Sequence, residues 1–103
     1  MAEIAQAMLD GRVSFIVGTR QILALRGRAG YSDLEQDLLP LIAVDSESDR
    51  FPIGDVRALW STAGLARLQP EMDRVEQWAR DVASEACRDL IRRINAASRP
   101  DEP

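Results

Sequence analysis

Asp45, Glu47 and Asp49 set three carboxylates at alternate positions, and Arg50-Phe51-Pro52-Ile53-Gly54-Asp55-Val56-Arg57 follows at once. Oxygen donors at that density are what a hard divalent cation needs. A calcium loop of the EF-hand type starting at Asp45 would require Gly at its sixth position and Glu at its twelfth. Those positions hold Arg50 and Val56, so the match fails where the loop geometry is set and no metal ligands are assigned. Paired acids also hydrolyse glycosides, but across a substantial groove, for which this short chain has little material. Two overlapping readings remain. The acids and Ser46 can shape their own loop through Asx- and Ser-type hydrogen bonds. Alternatively, exposed carboxylates with Arg50, Phe51 and Pro52 form a surface that a partner touches.

Other reactive groups are scarce. The chain has no histidine, and all 13 of its basic residues are arginine. The commonest general base and metal ligand is therefore missing. Cys87 has only Arg88 beside it to favour a thiolate, which makes it a small core residue rather than a nucleophile. Trp60 and Trp78 sit at helical spacings and read as core, Trp78 being the more exposed of the two. The chain is expected to be non-enzymatic, with no cofactor.

Length and composition set the frame. The 103 residues suit one domain, read as a helical body over 1–97 with a frayed tail at 98–103. A net charge of −4, with arginines scattered among acids, argues against nucleic acid and for a partner with a basic surface. No run is long and apolar enough to span a bilayer, and Met1-Ala2-Glu3-Ile4 lacks the basic start of an export signal. With one cysteine there is no disulfide framework, so the expected compartment is the cytoplasm, away from membranes.

The elements that would carry these residues read as helices throughout. Ile4, Met8 and Leu9 predict a first helix over 2–9, stopped by Asp10-Gly11. Ser14 caps a second through about Arg26, with Gly18 inside it either allowing close packing or simply tolerated. After a turn at Gly27–Gly30, Ser32-Asp33-Leu34-Glu35 is a capping box for a third helix. Pro40 should end or kink that helix near Leu39, leaving Leu41–Val44 as a buried continuation. A short helix from Gly54 to about Thr62 would turn Val56, Leu59 and Trp60 inward and break at Ala63-Gly64. The longest would start at Pro70, with Met72, Val75, Ala79, Val82, Ala86, Leu90 and Ile94 as its apolar stripe. Glu76 would face solvent and pair with Arg80. The expected fold is all-α, a compact irregular bundle of four to five helices with a long C-terminal helix.

The central pattern, Asp-Ser-Glu-x-Asp-x-x-Pro-x-Gly-x-Val-Arg over residues 45–57, with Trp60 after it, resembles that of a family of small bacterial proteins with no established activity. The likeness covers most of residues 4–94 and implies no chemistry. By analogy alone, small acidic proteins of this type resemble immunity or antitoxin partners of toxins. The leading expectation is a protein-interaction module whose contact residues are Asp45, Glu47, Asp49, Arg50, Phe51, Pro52, Asp55 and Arg57. Two alternatives stand beside it: a module binding a small ligand or a divalent metal through the same acids, and a structural homodimer built on the terminal helix.

Overall fold

The computed structural model describes residues 1–27 and 34–97. It contains four α-helices, α1 (Ala2–Leu9), α2 (Phe15–Leu25), α3 (Glu35–Ser48) and α4 (Thr62–Ala97), with a 3₁₀ helix at Gly54–Leu59. No strand occurs among the described residues, so the all-α expectation holds. The helices α1, α2 and α3 each pack on α4, and α2 also lies between α1 and α3.

The first two helices end and begin where the chain predicts. Gly11 adopts a φ of 79°, which only glycine enters freely. Its amide donates to Met8 O at 3.2 Å and that of Arg12 to Ala7 O at 2.9 Å, the pair of bonds that satisfies a helix's last carbonyls. Ser14 Oγ then accepts from Val17 N at 3.0 Å and caps α2. Gly18 has a packing reason: a Cβ there would overlap Met8 Cγ and Sδ, so its absence lets α1 and α2 meet closely.

At Pro40 the helix does not end but continues through the buried Leu41 and Val44, and at Pro70 the helix start departs from expectation. α3 runs through Pro40 to Ser48, and α4 runs through Pro70 after starting at Thr62. An interior proline forfeits one backbone hydrogen bond and costs about 3 kcal/mol. In α3 that loss is offset because Leu38, Leu41, Val44 and Ser48 recur on one face and are all fully buried. In α4 the start is set by Ser61, whose Oγ accepts from Gly64 N at 2.9 Å. Ser32 and Asp33 of the expected capping box, residues 28–30 of the turn and the tail at 98–103 lie outside the described residues.

The core is built on the C-terminal part of α4. Ala79, Ala83, Cys87 and Leu90 meet Met8 of α1, Phe15 and Ile22 of α2, and Leu38 and Leu41 of α3 in one buried cluster. Ala79, Ala86 and Leu90 of the expected stripe are buried, as is Cys87, but Ala83 joins them and Val82 is 40% exposed. Three helices surround this half of α4, so its buried face is broader than a single stripe. Among the described residues of α4, no side chain before Ala79 is fully buried. A 36-residue helix measures about 54 Å, which accounts for the molecule's long dimension of 59 Å.

Candidate interaction surface

The three carboxylates singled out in the sequence lie at the end of a helix, not in a loop. Asp45 and Glu47 occupy the last turn of α3, and Asp49 is its C-terminal cap. At about 100° per residue, Glu47 points some 200° away from both Asp45 and Asp49. Asp45 faces α2, where Arg20 Nε lies 3.9 Å from its carboxylate. Glu47 and Asp49 are exposed. The acids therefore do not converge, and no group of three or more His, Cys, Asp or Glu among the described residues could hold a metal ion.

Acids at the negative end of a helix dipole are unfavourable, and two arginines counter them. Arg20 donates to the carbonyls of Ser48 and Phe51, while Arg50 Nη1 donates to Glu47 O at 2.9 Å. Arg50 also pairs with Glu71 of α4 and stacks over the Phe51 ring, 4.6 Å from its centroid. Ser48, fully buried, closes the turn by donating to Val44 O at 2.7 Å. Phe51 is 2% exposed and Pro52 is fully buried. These two, expected at a partner's surface, instead seal the corner between α3 and α4 and offer no contact area. Arg50 is half-exposed and already engaged, so its first role is to hold that corner.

The 3₁₀ helix supplies a surface the sequence did not indicate. Val56, Leu59 and Trp60, expected inside, are 55%, 85% and 42% exposed. A 3₁₀ helix repeats every three residues, so Val56 and Leu59 eclipse each other on one side. Six residues of it are too few to fold these side chains under a neighbour. Asp55 belongs to this helix, and its side chain lies outside what is described. Arg57 is exposed and stands at the rim of a groove between α2 and α4. Ile16, Val17, Ile53 and Met72 line that groove, with Asp73 and Glu76 on the α4 side, around a space of about 250 Å³.

Glu76 is the main residue that sequence reasoning misplaced. Its carboxylate accepts from Phe15 N at 2.7 Å and from Ile16 N at 3.1 Å, capping α2 from another helix. Arg80, the expected partner, instead lies over the Phe15 ring at 5.0 Å. No local signal marks a bond across 61 residues. Cys87 is buried, and burial pushes its thiol up to about 11, with Arg88 only partly opposing. Among the described residues, no helix is long and apolar enough to cross a membrane.

No protein-family model matches the chain, and no curated protein or solved structure is significantly similar to it.

Proposed function

We propose that the protein is a non-enzymatic interaction module that binds a protein with a basic surface through its 45–60 segment. The observation that carries this reading is the outward-facing trio Val56, Leu59 and Trp60. Large apolar side chains left exposed within five residues of one another are a feature of interaction sites, and tryptophan is a frequent anchor. The partner's charge follows from the flanking helix. Residues 34–49 contain five acids and no basic residue, and Glu35, Glu47 and Asp49 are exposed. Carboxylates of that kind steer encounter, while the exposed apolar residues supply buried area. An immunity or antitoxin type of inhibitor is one form that such a module takes, by analogy with other small acidic proteins; nucleic acid and membrane do not suit this charge.

The test uses Leu59→Ser with Trp60→Ser, which alter exposed positions and should leave the helical circular dichroism unchanged. Purified wild-type chain is used to capture partners from its source cells at low and high salt. The expected result is a net-basic protein retained by the wild type, released as salt rises and lost by the double variant. Equal capture by both chains would overturn the assignment of these residues. Sedimentation showing that the same substitutions dissolve a homodimer would reassign the surface to self-association.

A further inference from the structure

The groove between α2 and α4 has a chemistry of its own. Its floor is apolar, made by Ile16 and Val17 of α2, Met72 of α4, and Ile53 just before the 3₁₀ helix. Its rim carries Arg57 against Asp73, with Glu76 adding a second negative charge. Both oxygens of Glu76 are taken by the Phe15 and Ile16 amides. Asp73 accepts from Gln69 through Oδ1 at 2.7 Å, and its second oxygen has no partner among the described residues. One free carboxylate oxygen at the edge of an apolar trough therefore faces solvent.

We propose that this groove receives an arginine or lysine side chain presented by the basic partner, an inference that rests on the reading above. Such side chains lay their methylenes on apolar surface while the charged head stays at a polar rim. The floor takes the stem and Asp73 takes the head as a charge-assisted hydrogen bond. Two carboxylates against one guanidinium make the groove negative, matching the acids of α3, so the same charge selects the partner and seats its side chain. Ile53 and Arg57 belong to the 45–60 segment, which places the groove next to the exposed apolar residues in the chain.

The test titrates the full chain with N-acetyl-arginine methylamide and follows side-chain methyl resonances by NMR. Saturable shifts are expected at Ile16, Val17, Ile53 and Met72, with buried Val44 unmoved. Asp73→Asn should weaken binding roughly two- to fivefold, the range that an exposed ion pair supplies. Arg57→Gln, which removes the competing positive charge, should strengthen it. Equal shifts from the norleucine or glutamate analogue, no saturable shift, or indifference to Asp73→Asn would each overturn the proposal. If Asp73→Asn leaves capture of the basic protein intact while the Leu59 and Trp60 substitutions abolish it, the groove falls and the interaction surface stands. Capture that survives the Leu59 and Trp60 substitutions rejects the wider reading instead.

Discussion

Glu76 shows how one side chain can join distant parts of a fold. Two amides at the start of α2 have no intrahelical acceptor, and a carboxylate from α4 supplies both bonds. Replacing it by alanine leaves those amides unpaired where the structure excludes much of the solvent. Glu76→Ala should cost about 1–3 kcal/mol in urea denaturation. Glu76→Gln keeps one acceptor oxygen but sets an NH₂ against the second amide and removes the charge at the positive helix end, so it should lose most but not all of what alanine loses. Equal losses would mean that the one bond glutamine retains contributes nothing without the charge. None of this was legible in the sequence, where Glu76 and Arg80 have the spacing of a surface ion pair. Ser14 and Gly11 were legible because caps and turns depend on neighbours a few residues away.

At the scale of elements, close approach and long reach lead to different expectations. Gly18→Ala removes a helix-weakening residue, which alone would gain up to about 1 kcal/mol. The new methyl would overlap the middle of the buried Met8 side chain, and overpacking of this kind costs about 1–3 kcal/mol. The net effect should be a lower melting temperature, and combined with Met8→Ala, itself a costly loss from the core, the total loss should be smaller than the sum of the two single losses. A rise in melting temperature for Gly18→Ala alone would show that Met8 repacks freely. In α4, the segment before Ala79 has no fully buried side chain and contains Pro70. Amides of 62–75 should therefore exchange with solvent faster than those of 79–94, which native-state hydrogen exchange resolves. The two prolines were misread for different reasons. At Pro40 local rules weigh the lost backbone bond but contain no record of the burial that offsets it, whereas Pro70 was read as a helix start because the Ser61 cap ahead of Gly64 was overlooked. Val56, Leu59 and Trp60 were misplaced by the opposite assumption, that apolar residues always find an interior.

For the whole molecule, the all-α class, the first two helices and the long last helix followed from periodicity and punctuation, because those signals are local. The surface did not, since exposure depends on how far neighbouring helices reach. Global stability should also respond to alkali through Cys87. Its thiol is held up to about 11 in the fold, from 9.0 as the reference value. Between these values the unfolded chain has lost the proton that the folded chain keeps. Stability is thus fully present below about pH 9 and falls as pH rises toward 11. Cys87→Ala should flatten that decline in chemical denaturation measured at a series of pH values. A slope that persists unchanged would assign the alkaline loss to another group.

The late position of Ala79–Leu90 along the chain bears on how the protein is born. Translation delivers α1, α2 and α3 before the stretch that completes the burial of their apolar faces, so until that stretch emerges a growing chain has only the contacts of these helices with one another. Contacts of such wide sequence separation slow folding. Nascent copies would thus leave the ribosome with greasy helical surfaces still uncovered, a window in which a chaperone or the cognate partner could meet them first.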